Sequence, residues 1–282
     1  MFHSNFFQKG IMSDISNLYI DLLKKTITNT IHEEKFQYLP VGRSKNPAIV
    51  LFRIINSILG LKNFEIRRKV NFENVKTGRI WPDNAETMIG IDRLNNIEYC
   101  IRQIIKDNVQ GDFVETGVWR GGAVIFMKAV LTAFNINNRV IWAADSFEGL
   151  PKPNGKYEAD IGDKHYTITE IATSLEQVKE NFEKYNMLDD NVKFLKGWFK
   201  DTLPTAPINK IAMLRLDGDL YESTMDSLNN LYHKLSRGGF LIVDDYYGVP
   251  TCKKAIDDFR KEKKITEEMI QIDWTGVYWR KK

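Results

Sequence analysis

Cysteine is scarce, with only Cys100 and Cys252 in 282 residues. There is no C-x-x-C pair and no Cys/His spacing of a zinc site, which excludes a disulfide scaffold and a structural zinc module. The expected compartment is the reducing cytoplasm. A charge excess of one sign is also missing: 40 Lys and Arg against 37 Asp and Glu leave a formal +3. That is too small and too dispersed for a nucleic-acid footprint, so no nucleic-acid partner is expected. The basic runs Arg67-Arg68-Lys69 and Lys261-Glu262-Lys263-Lys264 read as solvated faces. Long apolar runs are absent too. The most apolar stretch, Ala48 to Leu61, is interrupted by Arg53 and Asn56 and falls short of the ~20 residues a bilayer crossing needs. A buried helix is expected there, and no membrane partner. Met1-Phe2-His3-Ser4 does not open a signal peptide, since no basic start leads into an apolar run and a small-residue cleavage site. No internal repeat is visible.

What is present is ordinary folding material, 43% hydrophobic, 12% aromatic and 27% charged. A chain of this length buries roughly 70–75% of the surface its unfolded form exposes. Its two parts differ in pattern. Residues 1–110 read as a helical arm that serves as lid, dimer surface or both. Ser13 or Asp14 can cap a helix carrying Ile15, Leu18, Leu22, Ile27 and Ile31 at helical spacing, and the apolar face of this helix favours a homodimer. Pro40 and Gly42 break the chain, Pro47 to Leu61 forms a second helix, and helical spacing resumes from Glu86 with Ile91, Leu94, Ile97, Ile101 and Ile104.

From Gly111 to the end, short apolar runs alternate with amphipathic helices, the pattern of βαβ units and a mostly parallel open sheet. The expected strands are 113–118, 140–144, 192–195, 211–216 and 240–243, with helices at 123–134, 174–187, 223–235 and 252–263. Residues 269–272 and 277–279, joined by Trp274-Thr275-Gly276, read as a closing antiparallel hairpin.

In an open parallel sheet, ligands sit outside the carboxyl ends of the strands, and here those ends are acidic. The first strand delivers Glu115-Thr116-Gly117-Val118-Trp119-Arg120-Gly121-Gly122, a glycine-rich turn into a helix. The second delivers Asp145-Ser146-Phe147, with a carboxylate suited to a ribose diol. The glycine spacing does not fit G-x-G-x-x-G, which argues against a dinucleotide pyrophosphate. It suits S-adenosylmethionine, whose α-amino group Glu115 can help receive. Trp198 and Phe199, after the third strand, either pack on an adenine ring or belong to the core. The fourth strand ends in Asp217-Gly218-Asp219 and the fifth in Asp244-Asp245. Adjacent ends bring Asp217, Asp244 and Asp245 together, where three carboxylates repel unless a cation or protons neutralise them. All-oxygen ligation suits Mg2+. The alternative is that Asp219, or one acid of the Asp244/Asp245 pair, caps the next helix.

The segments LYIDLLKKTITNT, FVETGVWRGGA, ADSFEGLP, LRLDGDLYEST and GGFLIVDDYYG resemble the macrocin O-methyltransferase (TylF-like) family over about residues 18–279. The resemblance implies a Rossmann-like, S-adenosylmethionine- and magnesium-dependent enzyme that methylates a sugar hydroxyl on a larger scaffold, with a helical arm that helps build a dimer and cover the site. It places the metal acids on Asp217, Asp244 and Asp245, and cofactor contacts on Thr87, Met88, Glu115, Gly117, Asp145 and Ser146. Metal chelation would lower the acceptor pKa, leaving Asp217 or His165, in the Gly155 to Thr169 loop, to take the proton. A histidine in this loop is implicated as base in the resembling macrolide enzymes. Arg93 and Trp81-Pro82 in the arm, and Tyr246 and Tyr247 after the acid pair, either face the substrate or pack; Cys100 is structural. A catechol-like acceptor, a nicotinamide-dependent oxidoreductase and a non-catalytic scaffold remain the alternatives.

Overall fold

The computed structural model describes residues 2–32, 36–38, 47–64, 66–69, 71–81 and 83–282. Pro40, Gly42 and Pro82 lie outside them. The arm comprises α1 (Phe2–Ile27), β1 (Phe36–Tyr38), α2 (Pro47–Gly60), β2 (Arg67–Lys69), α3 (Phe72–Lys76) and α4 (Ile91–Lys106), with β1 and β2 paired antiparallel.

The second part alternates strand and helix as its pattern predicts: β3 (Asp112–Thr116), α5 (Gly122–Ala133), β4 (Ile141–Asp145), α6 (Leu175–Lys184), β5 (Val192–Lys196), α7 (Phe199–Thr202), β6 (Ile211–Leu216), α8 (Tyr221–Leu231), β7 (Leu235–Val243), α9 (Pro250–Glu262), β8 (Ile270–Gln271) and β9 (Val277–Arg280). The sheet order is β5-β4-β3-β6-β7-β9-β8. The first five of these strands run parallel and β9 is antiparallel to both its neighbours, giving a Rossmann-like α/β sheet closed by the expected hairpin. Its turn depends on Asp273, whose carboxylate accepts the Thr275 and Gly276 amides at 3.0 and 2.7 Å, a side-chain mimic of a backbone turn. Strand order reverses between β3 and β6, so a crevice opens at their carboxyl ends.

The arm is continuous with the core. Ile20, Leu23 and Ile27 of α1 and Leu94, Ile97, Ile101 and Ile104 of α4 share one apolar cluster with α5 and α6. Buried Lys24 ties α1 to α4 through Glu98 at 2.5 Å and Asn95 at 2.8 Å.

Three arm expectations need correction. Helix α1 extends upstream to Phe2, so neither Ser13 nor Asp14 starts it. Its buried stripe is Ile20, Leu23 and Ile27, whereas Ile15, Leu18 and Leu22 are 54–70% exposed, as is Ile31 at 46%. Both faces are apolar, and the interleaved 20/23/27 spacing wins because it meets α4 and α5. Helix α2 forms as expected but is not buried, and its Leu51, Ile54 and Ile58 face solvent. Among the described residues, no helix is long and apolar enough to cross a membrane.

Candidate active site

The crevice holds a cavity of about 270 Å³. Its floor begins with the glycine turn. Gly117 has φ +90°, and a Cβ there would lie 1.7 Å from the Asp217 carbonyl oxygen, so only glycine lets the ends of β3 and β6 approach this closely. Gly122 donates its amide to the Glu86 carbonyl at 2.9 Å, and its absent Cβ leaves room for the arm to seat on the turn. Beside it, the Arg120 guanidinium stacks on the Trp119 ring at 4.2 Å and donates to the carbonyls of Asp83 and Ala85.

Asp145 closes β4. Its carboxylate accepts the Val118 amide at 2.6 Å and the Phe147 amide at 2.7 Å. Burial raises its pKa, and these hydrogen bonds oppose the rise. Gly117, Asp145, Ser146, Met88 and Trp198 all line the cavity. Two expected cofactor residues do not. Thr87 is buried, with its hydroxyl accepting the Ile89 amide at 3.3 Å. Glu115 points beneath the sheet ends into a bond with Arg215 Nη1, because a carboxylate 1% exposed must find a partner. Burial still pushes Glu115 up, to about 8, with Arg215 opposing.

At the ends of β6 and β7, ligand oxygens of Asp217, Asp244 and Asp245 all lie within 4.8 Å of one another, as the strand order predicts. Buried Arg215 reaches Asp217 at 3.0 Å and Asp244 Oδ1 at 2.5 Å. Arg93, from α4, bonds the other Asp244 oxygen and, through Nε, Asp273 at 2.8 Å. Burial would raise Asp244, but the two guanidiniums outweigh it and hold its carboxyl below the usual range. Asp245 has no ion pair among the described residues. Burial and then the neighbouring charges of Asp217, Asp219 and Asp244 push its carboxyl well above that range. Carboxylates crowded this closely repel one another unless protons or a cation neutralise them, and the all-carboxylate donor set fits Mg2+.

His165 also lines the cavity, carried by the loop after β4. Its Nδ1 lies 2.7 Å from Asp163, which also accepts its backbone amide at 2.8 Å. The loop is fastened at both sides of His165. Trp119 Nε1 donates to the Glu170 carbonyl at 3.0 Å, and buried Asp160 accepts the Tyr221 and Glu222 amides at 2.7 and 2.9 Å. Asp160 thus caps α8 from outside the helix, the role expected of Asp219. Asp219 instead sits at φ +55° on the cavity wall, where burial and then the charge of Asp217 raise it to about 7.

Of the remaining residues, Arg93, Trp81 and Phe199 line the cavity. Neither Tyr246 nor Tyr247 lines it: Tyr246 is buried and bonds Asp257 at 2.7 Å, while Tyr247 is 52% exposed. Cys100 is fully buried. Arg215 was missed, although a single charge inside the apolar strand Ile211–Leu216 was a signal that something beside it had to be neutralised. Trp274, which lines the cavity from the hairpin turn and donates to the Thr77 carbonyl at 3.0 Å, carried no such signal.

A model of the macrocin O-methyltransferase (TylF) family matches residues 16–281. The chain is 46% identical over 271 residues to a demethyldecarbamoylnovobiocin O-methyltransferase of Streptomyces niveus, covering 94% of each. It is 43% identical to 8-demethyl-8-(2,3-dimethoxy-alpha-L-rhamnosyl)-tetracenomycin-C 4'-O-methyltransferase of Streptomyces olivaceus, covering 95% of this chain and 94% of the relative. The solved structure of the O-methyltransferase NovP superposes with a TM-score of 0.81 at 45% identity, covering 94% of this chain and 99% of that one.

Proposed function

Since the chain belongs to the macrocin O-methyltransferase family, we propose that it is an S-adenosylmethionine- and magnesium-dependent enzyme that methylates a sugar hydroxyl on a glycosylated small molecule in the cytoplasm. That it is an O-methyltransferase follows from the family. The observation that carries the rest is one cavity holding both a glycine turn with Asp145 and three clustered carboxylates.

The turn and Asp145 suit the nucleoside and amino-acid ends of S-adenosylmethionine, which supplies the methyl group. Trp198 and Met88 flank the same space. Asp217, Asp244 and Asp245 would hold Mg2+, which supplies Lewis acidity toward a hydroxyl and orients a neighbouring one. Unassisted, a sugar hydroxyl is too weakly acidic to attack quickly at neutral pH. His165, oriented by Asp163, is one acceptor for its proton; Asp217 is the second, and Asp219 on the same wall is a third. A sugar acceptor is supported by the Streptomyces olivaceus relative, whose name specifies a rhamnosyl 4'-oxygen.

Calorimetric titration with S-adenosylmethionine, S-adenosylhomocysteine and NADH, each with and without Mg2+, is the test. Binding of the two sulfur nucleosides and indifference to NADH is expected. Asp244→Asn should keep that binding and lose Mg2+-dependent methylation of a glycoside panel, whereas normal turnover by this variant would sink the metal role. Methylation of catechols in preference to glycosides would overturn the sugar assignment.

A further inference from the structure

Arg93 belongs to the arm, yet it ends in the acid cluster of the sheet. Its side chain is 6% exposed and bonds two carboxylates, Asp244 from the end of β7 and Asp273 from the hairpin turn. Its backbone has little freedom. The start of α4 is wedged so tightly that a Cβ on Gly90 would lie 2.5 Å from the Lys76 carbonyl oxygen, and Leu94, next to Arg93, is fully buried in the core. Asp273 is equally constrained, because its other oxygen holds the turn amides. Both oxygens of Asp244 are therefore taken by guanidiniums anchored in different parts of the molecule, Arg215 on β6 and Arg93 on α4. Asp245, with no guanidinium bonded to it among the described residues, shares side-chain hydrogen bonds with Asp217 and Asp219 instead.

We infer that Arg93 is a positioning residue for the divalent-cation site: it fixes the carboxylate plane of Asp244 while Asp273 fixes Arg93, so the arm and the hairpin together set the affinity for the metal. The inference rests on the metal half of the proposed function. Partners that orient a metal-ligating carboxylate typically contribute 10–100-fold to metal affinity. A guanidinium that merely sat beside the acids would act in the opposite direction, since its positive charge repels a cation. Orientation and simple electrostatics thus predict opposite signs when Arg93 is neutralised.

The probe is Mn2+, titrated into the full-length protein and read by the electron paramagnetic resonance of the free ion. S-adenosylhomocysteine binding is measured on the same samples as a check on the fold. Arg93→Gln should weaken Mn2+ about 10-fold with the nucleoside affinity unchanged. Arg93→Lys should recover only part of the loss, because an ammonium point charge cannot span Asp244 and Asp273 as a guanidinium does. Equal or tighter Mn2+ binding by Arg93→Gln overturns the inference. If that variant does not fold, Asp273→Asn is judged by the same criterion, with weaker Mn2+ supporting the inference and unchanged Mn2+ overturning it. Failure of the wild type to bind Mn2+ would instead remove the metal site itself and this inference with it.

Discussion

Gly117 is the residue on which the most geometry turns. With φ at +90° and the Asp217 carbonyl oxygen 1.7 Å from where a methyl would stand, Gly117→Ala must push β3 and β6 apart as well as strain its own backbone. A loss of at least about 3 kcal/mol is expected in urea denaturation, above the usual range for a point substitution. The acids beside it make stability depend on pH. The carboxyl of Asp219 is raised to about 7 and that of Asp245 well above the usual range, against about 4 in the unfolded chain. The native state therefore binds more protons than the unfolded state across that window, and metal-free stability should fall as pH rises from about 5 to 8. Mg2+ competes with those protons, so the rise in Tm it produces should grow over the same range. Thermal melts at several pH values with and without Mg2+ check this, and a Mg2+ effect that is flat with pH would refute it.

Among the elements, the loop after β4 and helix α8 act as one unit because Asp160 caps the helix. Asp160→Ala should cost about 1–2 kcal/mol, as loss of a cap does. It should also impair turnover by releasing the His165 loop, while leaving S-adenosylhomocysteine binding largely intact; a kinetic comparison with wild type decides it. This capping pair was not legible in the sequence. Asp219 lies just before the helix and carries the usual cap signal, whereas Asp160 is 61 residues away from the amide it serves. The strands, by contrast, were legible, because buried parallel strands read as apolar runs and their polar ends are confined to the ligand side of the sheet. The three clustered acids followed from that rule alone. Arg93 did not, since its partner is 151 positions away and only the seating of α4 brings them together. The partner of Glu115 was not legible either: its strand position suited a cofactor, and only the parallel pairing of β3 with β6 sets the buried Arg215 directly opposite it, where the guanidinium bonds its carboxylate. In α1 two apolar stripes compete, and periodicity alone could not choose which meets the core.

For the whole molecule, the exposed stripe of Ile15, Leu18 and Leu22, together with Leu51, Ile54 and Ile58 of α2, is more apolar surface than a solitary monomer ordinarily presents. We expect a homodimer through the arm. Light scattering coupled to size exclusion should give twice the chain mass, and Leu18→Glu should shift it toward the monomer; a wild-type monomer at micromolar concentration would exclude this.

The insertion of β9 between β7 and β8 has a consequence in time as well as in space. A ribosome makes β7 and its two aspartates well before it makes Asp273 and β9. During that interval the nascent sheet has an unpaired edge at β7, and Arg93, already made, can meet the Asp244 carboxylate only without Asp273 to brace it. The acid cluster is thus among the last parts of this chain that synthesis permits to settle, and premature termination before residue 273 would release a protein with its glycine turn made and its acid side unfinished.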